Sequence, residues 1–110
     1  MSNETLPKAY QRFAQDQPQI MRAYEDLGEA TMTTGPLDRK SAELVKLGIA
    51  VGSRQEGAVH AHARRARDAG ASVEEIRHAV RLSLTTLGFP GMMAALTWAD
   101  DVVSADSSGS

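Results

Sequence analysis

Two residues of this chain combine a proton-handling side chain with an apolar setting, Glu43 and His62. Glu43 lies in the run Ala42–Val51, where every other residue except Lys46 is apolar or small. A carboxylate buried there needs a partner, because burial disfavours its charge. The alternative is that Glu43 sits near a helix start and simply complements the helix dipole. His62 shares a helical face with Ala58, Val59, Ala66 and Ala69, so its imidazole points inward. An inward histidine is either a packed core residue or a proton-transfer group suited to neutral pH. A buried acid beside a buried imidazole is a proton-relay arrangement.

His60 lies about 200° around the helix from His62 and shares its face with Glu56, Arg64 and Arg67. Glu56 and His60 stand at i and i+4, the spacing of a surface ion pair. Helical zinc clips place their histidines at i and i+4, so His60 and His62 are not such a clip. No metal and no cofactor is expected on this reading. A further alternative brings Glu43, Glu56, His60 and His62 together on an ion across two helices or two subunits. His78 follows Arg77 and reads as surface. Arg64, Arg65 and Arg67, interrupted by Asp68, read as a solvated helix face. The alternative for Arg64–Arg65 is a seat for a substrate carboxylate.

The elements that must position these residues are helices. Hydrophobic spacing predicts an all-α bundle of five to six helices and no strand. The first helix spans Leu6 to Gln15, with Tyr10, Phe13 and Ala14 at helical spacing, and Asp16–Gln17–Pro18 ends it. Pro18 suits the first turn of the second helix, which runs to about Met32 with the stripe Ile20, Tyr24, Leu27, Ala30 and Thr31. Thr33–Pro36 is a turn. Asp38 is the expected N-cap of the third helix. Gly52 and Gly57 flank a short polar run, after which a fourth helix ends at Gly70. Ser72 and Glu75 form a capping box for the fifth, which is expected to run to about Leu87. The break Gly88–Phe89–Pro90–Gly91 precedes a last helix, Met92 to about Val103. The expected organisation is one domain over 1–110, ordered over about 5–103, with loose ends at Met1–Glu4 and in the polar tail 104–110.

Composition removes several function classes. The 110 residues carry a net charge of -2 and no cysteine. Without cysteine there is no disulfide, no thiolate metal site and no catalytic thiol. The charge balance offers no electrostatic grip on nucleic acid or an anionic membrane. No apolar run reaches the roughly 18 residues of a membrane span. The polar Met1–Lys8 shows no signal peptide, so residence in the cytoplasm is the expectation. The second half is richly apolar, with Val80, Leu82, Leu84, Leu87, Phe89, Met92, Met93, Leu96 and Trp98. These do not all fit on one buried face, which points to a homo-oligomer.

The segments Ala42–Glu43–Leu44, Ala58–Val59–His60–Ala61–His62, Ala66–Arg67–Asp68–Ala69–Gly70–Ala71–Ser72 and Glu74–Glu75–Ile76 occur in that order. Together with Gly88–Phe89–Pro90 they resemble the carboxymuconolactone decarboxylase and alkylhydroperoxidase D family over roughly sixty residues, about Asp38 to Trp98. Members of that family carry a glutamate on one helix and Cys-x-x-Cys-x-x-x-His on the next. The resemblance puts Glu43 on the relay glutamate, nineteen positions before His62 on the histidine. The two cysteine positions, seven and four residues before His62, hold Gln55 and Ala58. It therefore implies a cysteine-free member that does not reduce peroxides by the thiol route. It also implies a helical fold and a trimer or hexamer.

On this reading Glu43 and His62 are the catalytic acid–base pair of a decarboxylase- or lyase-type proton transfer on a small organic acid. Gln55, Glu56, Ala58 and His60 are binding candidates. The alternative is an oligomeric binding or scaffold protein that has lost catalysis.

Overall fold

Pro18 and Asp38 start helices where the sequence places helix starts. The computed structural model describes residues 7–108, and the chain divides into two compact units at Pro36/Leu37. The expected start of the first helix at Leu6 and the expected loose residues 1–4 lie outside the described residues.

The first unit is a helical hairpin of α1 (Lys8–Asp16) and α2 (Pro18–Thr33). Gln17 makes the corner, and its N–H still donates to Phe13 O at 2.8 Å. Pro18 then occupies the first turn of α2, where a missing N–H costs nothing. Tyr10 Oη donates to Glu25 Oε2 at 3.1 Å and ties the two helices. At the end of α2, Thr31, Thr33 and Thr34 turn their hydroxyls back onto the carbonyls of Gly28, Glu29 and Ala30. Gly35–Pro36 stops further propagation. The stripe Ile20, Tyr24 and Leu27 is exposed, while Met21 is buried.

The second unit holds α3 (Arg39–Gly52), α4 (Glu56–Asp68), α5 (Val73–Arg81) and α6 (Leu84–Ser108). In it, α3 packs on α4 and α5, and α6 packs on α4 and α5. The cyclic order of the bundle is therefore α3, α4, α6, α5, and the α4–α5 connection crosses its diagonal. Leu47, Val51, Val59, Ile76, Val80 and Val103 are fully buried in the centre. Each such side chain contributes about 1.5–3 kcal/mol on burial. Ala50, Ala63, Ala66, Ala95 and Ala99 are buried between them, and their small side chains allow close helix approach.

The helix ends follow their local chemistry. Asp38 Oδ1 accepts from Ser41 N–H at 2.7 Å, which lowers the carboxyl's pKa below its ordinary value. Ser72 and Glu75 close the expected capping box at 2.8 and 2.9 Å. The hydrogen bond from Ser72 N–H is the main cause that lowers Glu75's pKa, followed by Lys40. Gly70, at φ 101, ends α4. Ala71 N–H bonds Ala66 O and Gly70 N–H bonds Arg67 O, which is a Schellman motif. The same motif ends α3, but its left-handed position is Arg54, at φ 57, and neither flanking glycine. Gln55 N–H bonds Ala50 O and Arg54 N–H bonds Val51 O there.

Two expected boundaries are corrected. The fifth helix ends at Arg81, six residues before Leu87. Ser83 Oγ donates to Val80 O at 2.7 Å, and Ser83 O accepts the N–H groups of Thr86 and Leu87, so a new turn starts at Leu84. The last helix also runs on into the expected polar tail, as far as Ser108, and Arg77 Nη2 donates to Ser104 Oγ at 3.2 Å. The rest of that tail, residues 109–110, lies outside the described residues. The Gly88 break is a kink inside α6, with Gly88 at φ 80, ψ 171 and Pro90 just after it.

That backbone conformation is open only to glycine, and no atom of another side chain comes within 4 Å of a Cβ built on Gly88. Gly88→Ala therefore lowers stability by about 1–3 kcal/mol through the backbone alone. Gly28→Ala, inside α2 with equally open surroundings, raises stability by about 0.5–1 kcal/mol. Chemical denaturation of both variants checks the contrast.

Candidate functional site

Glu43 is the one charged residue buried among the described residues, at 4% exposure. It stands in the second turn of α3, in line with Leu47 and Ala50 on the face that packs inward. That face meets α4, and His62 is the side chain opposite it. His62 Nδ1 lies 3.0 Å from Glu43 Oε1. The histidine keeps 14% of its side chain exposed, against 5% for the glutamate. Among the described residues no hydrogen bond engages His62 Nε2. Glu43 therefore does not serve only as a charge at a helix start. It is a buried partner to one ring nitrogen, and the other nitrogen is left over.

His60 faces the other way, towards α6. Its Nε2 lies 3.3 Å from Asp101 Oδ2 and 3.9 Å from Glu56 Oε2. The expected Glu56–His60 surface pair is thus present, but the shorter contact is to Asp101. Asp101 lies 41 residues from His60, and nothing in its local sequence marks it. Adjacent Asp100 turns instead to α5, with Arg77 Nε donating to its Oδ1 at 2.8 Å. The convergence of Glu43, Glu56, His60 and His62 on one ion does not occur within a chain. The two histidines stand on opposite sides of α4 and meet different helices.

The remaining candidates are placed as follows. Gln55 is the exposed N-cap residue of α4. Ala58 is half-buried against the core, one turn before His62. The arginine run is not a fully solvated face, because Arg64, Arg65 and Arg67 are all half-buried. Arg67 Nη1 donates to Ala71 O at 3.0 Å, behind the end of α4. Among the described residues, the buried Nε atoms of Arg64 and Arg67 have no hydrogen-bond partner.

A cavity of about 570 Å³ opens on a different side of α3. Leu44, Val45, Gly48 and Gly52 form its α3 wall, and Ala79, Leu82 and Leu87 close the other. Neither Glu43 nor His62 lines it. Exposed His78 stands at its edge. The sequence signal for this groove is Gly48-x-x-x-Gly52, two missing side chains one turn apart on an otherwise apolar helix.

These features can be set beside known proteins. The chain is 35% identical over 61 residues to an uncharacterized protein of Haemophilus influenzae, a match over 56% of this chain and 54% of that protein. It thus spans about half the length of the curated relative it matches. Its fold is similar to the crystal structure of apo-lpg0406, a carboxymuconolactone decarboxylase family protein from Legionella pneumophila. That likeness has a TM-score of 0.76 at 23% identity and covers 89% of this chain and 87% of that one. Residues 18–101 match the family model of the carboxymuconolactone decarboxylase family, which takes in Glu43, His62, the α3–α4 boundary and the Gly88 kink. The chain belongs to the carboxymuconolactone decarboxylase family.

Proposed function

We propose that this protein catalyses proton transfer on a small organic acid, of the decarboxylase or lyase type, with Glu43 and His62 as the acid–base pair. The observation that carries the reading is the 3.0 Å contact between a buried carboxylate and one nitrogen of a partly exposed imidazole. With Glu43 ionised, its oxygen accepts a hydrogen bond from Nδ1–H of His62, and the lone pair resides on Nε2. Nε2 then takes a proton from the substrate or returns one, while Glu43 stabilises the imidazolium that forms. Glu43 also fixes the tautomer and the ring orientation. The absence of cysteine from the chain rules out a thiol step. Gln55, the N-cap residue of α4, and Ala58, one turn before His62, stand on the His62 side of the helix and are the candidates to contact the substrate, whereas Glu56 and His60 face α6.

The test is turnover of a panel of small lactone carboxylic acids, followed by carbon dioxide release and by absorbance. His62→Ala lowers kcat by about 10²-fold or more where the wild type turns over. Glu43→Gln keeps part of the rate and moves the pH profile. A His62→Ala variant that retains the wild-type kcat sinks the reading.

The second reading is an oligomeric binding or scaffold protein in which the pair only holds α3 to α4. The position of the groove favours it, because the cavity is lined by neither member of the pair. Stability separates the two roles. His62→Ala strands a buried carboxylate and costs about 3 kcal/mol, whereas Glu43→Leu combined with His62→Leu is close to neutral. A double variant that is fully stable yet inactive assigns the pair to chemistry. A double variant as active as the wild type assigns it to structure.

Both readings take the protein as a homo-oligomer, a trimer or hexamer. Leu82, Phe89, Ile49 and Val45 leave half or more of their surface exposed, and Leu84 and Met93 over a third. Surfaces of this kind mark interaction sites. Sedimentation at micromolar concentration gives three or six chains per particle, and Leu82→Glu with Phe89→Glu lowers that number. A monomeric wild type contradicts the assignment.

A further inference from the structure

On the α4–α6 side of the bundle, away from the Glu43–His62 pair, two carboxylates converge on one imidazole. Glu56 and His60 stand one turn apart on α4, and Asp101 reaches them from α6. One ligand atom from each of the three lies within 4.8 Å of the others. The contacts to His60 Nε2 are 3.3 Å from Asp101 and 3.9 Å from Glu56. A tetrahedral ion with bonds of about 2.0–2.1 Å holds its ligands roughly 3.3 Å apart. The Asp101–His60 edge already has that length, the Glu56–His60 edge needs a closure of about half an ångström, and the Glu56–Asp101 edge, within 4.8 Å, must close as well through rotation of the long Glu56 side chain.

Charge points the same way. Among the described residues no lysine or arginine pairs with Glu56 or Asp101, and His60 is their shared partner. The same nitrogen faces both carboxylates. It can donate one hydrogen bond, so Glu56, at 3.9 Å, is left without one. With a neutral imidazole the trio carries two negative charges held close together. A divalent cation balances that charge and takes one coordinate bond from each of the three groups in place of their competing contacts. One imidazole nitrogen and two carboxylate oxygens suit zinc, cobalt(II) or nickel(II) and do not suit a soft thiophilic ion. The side chains of Glu56 and Asp101 are more than half exposed, and that of His60 about a quarter. An ion can therefore enter without unfolding, and water completes its coordination.

We propose that Glu56, His60 and Asp101 form a binding site for a divalent transition-metal ion that bridges α4 and α6. The site is separate from the acid–base pair and does not depend on that pair being catalytic.

The test uses the full chain, purified without a histidine tag and stripped with chelator. Zinc and cobalt(II) are titrated by calorimetry and by cobalt absorption. The expected result is one ion per chain, with nitrogen and oxygen ligation in the cobalt spectrum. Asp101→Asn and His60→Ala each weaken binding by about tenfold or more, and His78→Ala leaves it unchanged. Saturating zinc also raises the melting temperature of the wild type and not that of Asp101→Asn, because binding favours the folded state by mass action. Circular dichroism establishes that the variants are folded. The proposal is overturned if no ion binds at millimolar zinc, or if both variants bind as well as the wild type. It is equally overturned if His78→Ala abolishes binding.

Discussion

A carboxylate that loses its water must find another donor, and for Glu43 that donor is the imidazole of His62. The requirement is stringent, because each partner alone would be a buried polar group without compensation. It fixes how far along α4 the helix α3 can sit, and the core then packs around that register. Leu47 and Ala50 follow Glu43 on its side of α3, while Val59, Ala63 and Ala66 surround His62 on α4. Slippage by one turn would keep most apolar contacts and would orphan the carboxylate. The pair thus gives uniqueness to an interface that alanine and valine alone would leave permissive.

The other three helix boundaries of the second unit carry polar ties of their own. His60–Asp101 joins α4 to α6, Arg77–Asp100 joins α6 to α5, and Lys40–Glu75 joins α5 back to α3. Each of these is partly exposed, and such pairs contribute little to stability. Their common effect is orientation. Two histidines two residues apart on α4 reach opposite neighbours, and two consecutive aspartates on α6 do the same. Helical geometry turns adjacent sequence positions into contacts with different helices, so the ring of ties needs only short stretches of sequence.

Features set by local chemistry were legible in the sequence, and features set by distant packing were not. The capping box at Ser72, the N-cap at Asp38, the terminal Gly70 and the Gly88 break each follow from residue types within a few positions. The inward aim of Glu43 and His62 followed from the apolar company each keeps on its own helix. The end of α5 was obscure because Leu82, Leu84 and Leu87 continue an apolar pattern through the break, and one hydroxyl, that of Ser83, ends the helix. Asp101 was hidden by the 41 residues between it and His60. The arginine run reads as a solvated face because composition shows only charge, whereas the structure leaves all three arginines half-buried. Arg54 at a left-handed position was obscure as well, since a glycine stood on either side as the apparent turn former.

The tight Schellman turn at Arg54 makes the Glu43–His62 pair a local object. Glu43 and His62 are joined by nineteen residues of one helical hairpin, whereas His60 and Asp101 meet only when a chain segment of 41 residues has been closed. Loop closure costs more for the longer segment, by roughly 0.7 kcal/mol on length alone, and it also requires α5 to have found its place across the diagonal. The two histidines therefore differ in how much of the chain their contacts enclose: that of His62 is complete within one helical hairpin, and that of His60 needs the closed bundle.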